Sequence, residues 1–257
     1  MKDKICHIDM QNLHQDCIYD KMHLEWGKYD IYHIFNMTAD DPRMVYEKLA
    51  NTLGTIKICH PVNNRDTKIS NSRDIRFDPD IPHFFASNSR QPLHTDYAYY
   101  KKETAPDWLM LYCMTPSKYG GITDVLSLDT LREVMREHDP QLLKDIEVDI
   151  VWRYESKGGD IIHTKPILNE NKINWNYWQI RKELNLKTTI KIAERFFRFL
   201  EDVVVESRIY DFSKKWQTGD CIIFKDSSNL HGRTAFLGDR WLKDHAFHYE
   251  QTKENKK

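Results

Sequence analysis

The sequence predicts one domain, mainly β with flanking helices, and three observations predict it. The 257 residues run without a linker rich in proline, glycine or serine, and all-β barrels and sandwiches of that length commonly fold around one core. Extended apolar or aromatic runs stand at Pro92 to Tyr100, Leu109 to Met114 and Cys221 to Phe224. Helical spacing of apolar residues is confined to a few stretches outside these runs.

Taken in order, Asp40-Asp41-Pro42 reads as a helix start with proline in the first turn. Val45, Leu49 and Leu53 then recur at helical spacing until Gly54 stops the segment. Thr55 to Ile58 reads as a strand. Asn63 to Gln91 is polar, irregular and long for a structureless connection, which marks a functional lid or a mobile loop. Its candidates for touching a substrate are Arg73, Arg76, Phe84, Phe85, Asn88 and Arg90, with solvated loop residues as the competing reading. Leu126 to Met135 reads as a short helix and Ile146 to Trp152 as a strand. Arg153 to Trp178 holds Gly158-Gly159, His163, Pro166 and several asparagines and reads as irregular. Within it, Trp175, Tyr177 and Trp178 would either stack on an aromatic or cationic substrate or pack in the core. Ala193, Phe196, Phe197, Leu200 and Val204 form a helical stripe between Ile190 and Val205, better read as packing than as a cofactor box. A turn at Thr218-Gly219-Asp220 leads into the apolar strand Cys221 to Phe224, and Gln251 to Lys257 reads as a frayed, charged tail.

Chemistry enters with His94-Thr95-Asp96, an H-x-D triplet in an extended run, and with His231 far downstream in Asn229-Leu230-His231-Gly232-Arg233. Alternate residues of a strand share a face, so His94 and Asp96 can grip one ion while the chain returns later with a third ligand. Two histidines and one carboxylate on one face leave other positions open, which suits a non-haem Fe(II) centre better than closed structural zinc. With 12 histidines in the chain, the triplet alone is weak evidence. Its company strengthens it: Gly120-Gly121-Ile122-Thr123 follows, and Arg240 stands nine positions after His231.

In these elements the sequence resembles the Fe(II)- and 2-oxoglutarate-dependent dioxygenases of the taurine dioxygenase (TauD/TfdA) type, which include clavaminate synthase-like enzymes. The resemblance runs from about Leu49 to Tyr249 and rests on PLHTDYAYY, APDWLMLYCMTPSKYGGITDV, WQTGDCIIFKDSSNLHGRTAF and GDRWLKDH. It implies a double-stranded β-helix, or jelly roll, with His94, Asp96 and His231 as iron ligands. It also implies that Arg240 pairs with the distal carboxylate of 2-oxoglutarate and that Thr123 hydrogen-bonds the same group. The residue chemistry agrees, because arginine offers a planar fork that matches a carboxylate and a threonine hydroxyl adds a donor without charge. The implied reaction consumes O2 and 2-oxoglutarate, hydroxylates an unactivated carbon and releases succinate and CO2. Desaturation or cyclisation would follow the same hydrogen abstraction. The carboxylate at Asp96 disfavours halogenation, since related halogenases carry a small residue there.

Two departures bear on substrate. Many such enzymes place a second arginine four residues after the first, where this chain has Asp244; an acidic group there would repel a sulfonate and suit an amine or guanidine. Phe224-Lys225-Asp226-Ser227 keeps only the aspartate of the usual tryptophan-aspartate-asparagine, and its expected task is to shape the turn. Arg90, Tyr97, Arg233 and Asp244 are the candidate contacts to the prime substrate. Arg233 would either face the metal mouth or brace its turn. His163 lacks a partner at ligand spacing and is not taken as a ligand.

Composition bounds the partners. Net charge is −1, with 38 basic and 39 acidic residues, so no long-range field favours nucleic acid or an anionic membrane. No apolar run of about eighteen residues and no signal-peptide core is seen, and a soluble, cytoplasmic enzyme acting on a small molecule is expected. A homo-oligomer is compatible with the sequence. Cys6, Cys17, Cys59, Cys113 and Cys221 are odd in number and scattered, which argues against a disulfide framework or a cysteine zinc site. Cys113 and Cys221 lie in apolar runs and are expected to be buried. Two other readings stay open: a cupin-like metal dioxygenase that needs no 2-oxoglutarate, and a non-catalytic barrel that binds a metal or ligand.

Overall fold

The computed structural model describes residues 4–56, 72–81, 84–98, 100, 105–154 and 161–249. The strands are β1 (Ile5–Asp9), β2 (Ile31–Phe35), β3 (Gly54–Ile56), β4 (Arg73–Arg76), β5 (Gln91–His94), β6 (Trp108–Thr115), β7 (Tyr119–Gly120) and β8 (Thr123–Ser127). They continue with β9 (Asp149–Tyr154), β10 (Ile161–Pro166), β11 (Leu168–Asn169), β12 (Lys172–Ile173), β13 (Phe212–Lys214), β14 (Cys221–Lys225), β15 (Asn229–Arg233), β16 (Phe236–Leu237) and β17 (Trp241–Tyr249). The α-helices are α1 (Cys17–Glu25), α2 (Pro42–Leu53), α3 (Leu128–His138), α4 (Pro140–Asp145) and α5 (Lys187–Phe199).

Two sheets carry the fold. The larger runs β1-β2-β14-β6-β17-β3, with β4 also on β17, and the smaller runs β13-β8-β15-β5. Leu109, Leu111, Ile222, Phe224 and Leu242 of the larger sheet meet Val125 and Phe212 of the smaller one in a buried cluster. The outer face of the larger sheet packs on α1 and α2 through Ile18, Met22, Val45, Tyr46 and Leu49. The outer side of the smaller sheet is covered by α3 to α5 and β9 through Leu131, Met135, Leu142, Trp152, Ala193 and Phe196. Mainly β with flanking helices is therefore the observed class, and β6 and β14 read as near-continuous apolar runs because both faces of the larger sheet are buried.

Local signals explain most boundaries. The Asp41 side chain accepts from the Arg43 amide, and Pro42 opens α2 with its preset φ. Ser127 caps α3 and Asp139 caps α4. The strand expected from Ile146 begins only at Asp149, because Asp139-Pro140 starts α4 and Ile146 closes it. The stripe from Ile190 is helical, but its last part, Leu200–Val205, widens to a π-helical turn. Of the expected strand Thr55 to Ile58, Thr55 and Ile56 are seen in β3, while Lys57 and Ile58 lie outside the described residues, as do Cys59, the stretch 63–71 and the tail Gln251 to Lys257. Within the long polar stretch before Gln91, the structure places β4 and a 3-10 turn at Phe84–Ala86. Cys113 and Cys221 are buried and unpaired, and burial raises both thiols, Cys113 to about 12.

Tyr46 ties α2 to the turn before β14: its buried hydroxyl donates to the Gly219 carbonyl at 2.6 Å. Tyr46→Phe strands that carbonyl, and urea unfolding should show a loss of roughly 1–3 kcal/mol; a loss below about 0.5 kcal/mol would refute the contact's importance.

Candidate metal and co-substrate site

The site forms where β15 returns beside β5. Antiparallel pairing sets His231 opposite His94, with ring centroids 4.2 Å apart. Strand β5 ends at His94, so Asp96 projects from the turn that follows rather than from an alternate strand position. The convergence is nonetheless achieved: Asp96 Oδ1 lies 3.1 Å from His94 Nε2 and 3.6 Å from His231 Nε2. One ligand atom from each residue falls within a 4.8 Å group, a spread that one metal ion can bridge.

Each donor is oriented by a neighbour. His94 Nδ1 is 2.9 Å from the Pro92 carbonyl and must donate to it, which leaves Nε2 as the ligating lone pair. Asp226 accepts from the amides of Asp96 and Tyr97, at 3.0 and 3.1 Å, and stands 3.8 Å from His231 Nδ1. It thus holds the ligand turn itself and faces the second histidine, a larger task than shaping its own turn. Trp175 closes the other side: its carbonyl accepts from the Thr95 amide at 2.6 Å, and its amide donates to Thr95 Oγ1 at 3.0 Å.

Burial opposes a charged ring at His94, but the hydrogen bond and charge of Asp96 outweigh it and the pKa ends raised. At Asp96 burial would raise the carboxyl, and the two histidines reverse this and hold it well below the usual range. His231 is lowered by burial and by His94 beside it. Burial, then the charge of Asp96, pushes Asp226 up to about 7. The Asp96 carboxylate is thereby kept ionised, the form in which a carboxylate can ligate a metal.

A second element of the site is cationic. Arg240 is 4% exposed, and among the described residues its Nε and Nη1 have no hydrogen-bond partner. Burial, and then the charge of Arg233, lowers it to about 9. A guanidinium so placed calls for an anion. The Gly-Gly turn makes room for it: Gly120 and Gly121 have φ of +63° and +69°, and a Cβ on Gly121 would meet the Arg240 Cδ at 3.3 Å. Thr123 is buried, and its Oγ1 accepts from Trp216 Nε1 at 2.6 Å, which leaves the hydroxyl hydrogen for a further acceptor. Two histidines and one carboxylate at one place and an unpaired arginine at another have the donor chemistry that a metal ion and a dicarboxylate would need.

The structure also places the side chains expected near the prime substrate. Arg90 forks onto Glu201 at 2.5 and 2.9 Å. Tyr97 is held through its amide by Asp226, and its ring meets Tyr100 edge-on. Asp244 is 1% exposed and ion-pairs with Arg73, so its charge is already matched within the protein and does not select an amine or guanidine by itself. Arg233 braces: its Nη2 donates to the carbonyls of Phe84, Ser87 and Ser89 at 3.3, 2.7 and 2.8 Å. The Arg233 and Arg240 guanidiniums both stand over the Phe236 ring, at 4.9 and 5.4 Å. Trp175 is fully buried against Phe196, whereas Trp178 is 48% exposed and packs edge-on to Phe84. His163 pairs in β10 opposite Trp152 and is not a member of the His94, Asp96 and His231 group. Sequence reasoning overlooked Gln91, whose amide lies 2.9 Å from His94 Nε2; its place three residues before a ligand was the available signal.

The model of the family described as taurine catabolism dioxygenase TauD, TfdA family matches residues 37–244. No protein of curated function matches the chain by sequence. Asparagine oxygenase, solved with Fe(II), 2S,3S-3-hydroxyasparagine and succinate, is similar in fold, with 16% identity over 91% of this chain and 78% of that one and a TM-score of 0.66. The non-haem iron oxygenase OrfP, solved with Fe, succinate and (3S)-hydroxy-L-Arg, aligns over 92% of this chain and 81% of its own at 13% identity and a TM-score of 0.61. PvcB of Pseudomonas aeruginosa aligns over 95% and 82% at 15% identity and a TM-score of 0.57.

Three hydrogen bonds from one charged group should hold the 84–89 segment closed. Arg233→Met is expected to speed its amide hydrogen exchange by about tenfold or more, since a bond to a charged donor contributes roughly 1.5–3 kcal/mol; unchanged exchange would remove the brace.

Proposed function

The chain belongs to the TauD/TfdA dioxygenase family, and on that footing we propose that it hydroxylates an unactivated C–H bond of a small molecule, an amino acid or amino-acid-derived metabolite, with 2-oxoglutarate as co-substrate. The observation that carries the reading is the His94, Asp96 and His231 group, together with the unpaired buried guanidinium of Arg240. When bound, Fe(II) with O2 and 2-oxoglutarate supplies the oxidising power, and the keto acid leaves as succinate and CO2. His94, Asp96 and His231 hold the ion and leave positions open for those two partners. Arg240 takes the distal carboxylate, with the Thr123 hydroxyl as a second donor. Trp175 and Asp226 fix the ligand turn, so the donors need little rearrangement on binding.

The amino-acid substrate class draws support from the products bound in asparagine oxygenase and OrfP, a hydroxyasparagine and a hydroxyarginine. No helix among the described residues is long and apolar enough to cross a membrane, and we place the enzyme in the cytoplasm, acting as one domain, on its scattered thiols and balanced charge. Arg240→Met should raise the KM for 2-oxoglutarate roughly 30-fold or more, because truncating one partner of a buried charge pair costs about 2–5 kcal/mol, and should leave iron affinity unaltered. Succinate release, measured over a panel of free and modified amino acids, should rise above the substrate-free background for at least one of them and vanish in His94→Ala. Oxidation of a substrate without 2-oxoglutarate would instead support the cupin-like alternative.

A further inference from the structure

We infer that Arg73, locked by Asp244, is a positioning residue that restricts Asp96 to a single metal-facing oxygen. The inference rests on the reading of His94, Asp96 and His231 as the metal ligands. The two oxygens of Asp96 have different surroundings. Oδ1 faces both histidine Nε2 atoms, at 3.1 and 3.6 Å. Oδ2 instead accepts from Arg73 Nη2 at 3.2 Å. A carboxylate can bind a metal through one oxygen or both, and the second mode would consume a position that co-substrate or O2 needs. A donor held against Oδ2 favours the first.

Arg73 is well placed for that task. Strand β4 pairs with β17 so that Arg73 lies opposite Asp244. The buried Asp244 carboxylate accepts from the Arg73 amide at 3.0 Å, from its Nε at 3.0 Å and from its Nη2. The Phe85 ring lies 4.9 Å from the guanidinium carbon and limits its movement. Backbone, side-chain fork and ring face are thus all set before the metal carboxylate is reached. Lysine has the charge but not the fork that spans two carboxylates. The acidic residue four positions after Arg240 therefore acts on the metal centre through Arg73 and not on the prime substrate directly.

The competing explanation is that Arg73 only neutralises the buried charge of Asp244. The double variant Arg73→Met/Asp244→Leu separates the two, since replacing a buried ion pair by apolar residues of similar size is often neutral for stability. Co(II) is the probe, with its dissociation constant and visible ligand-field spectrum read anaerobically, and thermal melting follows folding. The double variant should melt near the wild type yet bind Co(II) about 10–100-fold more weakly with an altered spectrum. Arg73→Lys, which keeps a charge beside Asp244 and so protects the fold, should also bind more weakly. Wild-type affinity and spectrum in both variants, with binding lost in His94→Ala, would overturn the positioning role alone. Wild-type binding in His94→Ala as well would overturn the ligand assignment and the inference with it.

Discussion

The pairing of β15 with β5 is the constraint on which the site depends, because it brings His231 opposite His94 across a long separation in sequence. Strand β15 pairs on its other side with β8, setting Arg233 opposite Thr123. One strand thereby carries both a candidate metal ligand, His231, and the buried Arg233. Gly232 sits in the middle of it, where a Cβ would come 3.0 Å from the Gln91 carbonyl. A side chain at that position would be a tight fit and would push on the neighbouring strand. The apolar cluster between the two sheets backs the arrangement, with Phe224 in contact with the His231 ring at 5.1 Å.

Charge of both signs is buried in this part of the molecule, and the arginines among it keep nitrogens with no hydrogen-bond partner among the described residues. Asp96, Asp226 and Asp244 are largely or fully removed from water around the histidines, while Arg233 and Arg240 are buried over Phe236. Burying ionised groups is costly unless they are paired. Asp244 is paired by Arg73 and Asp226 by two backbone amides. Asp96 pairs with Arg73 as well, and under the proposed function a metal ion among the donors and a carboxylate at Arg240 would complete the rest. This is why the metal and the co-substrate belong to one argument rather than two.

The candidate metal ligands and the candidate co-substrate arginine were legible because their chemistry restricts residue type: few side chains ligate a metal, and Arg240 stands in order after His231. The Gly-Gly turn was legible because its two left-handed positions exclude most other residues. What escaped was held by tertiary contact alone. Strand β4 reads Arg-Asp-Ile-Arg, with no apolar alternation, and exists through its pairing with β17. Strands β1 and β2 and the short α1 at the start of the chain carry no strong periodic signal, yet they extend the larger sheet and cover it. The partners of Asp244 and Asp226 could not be read either, because each lies more than a hundred residues away in the chain.

The central claim is that one metal ion and one 2-oxoglutarate share this pocket, and anaerobic titration of the purified protein tests it without knowledge of the prime substrate. Fe(II) and 2-oxoglutarate added together should produce a weak visible charge-transfer band that saturates at one equivalent of each, with neither ligand sufficient alone. Iron bound tightly with no such band at any 2-oxoglutarate concentration would contradict the account.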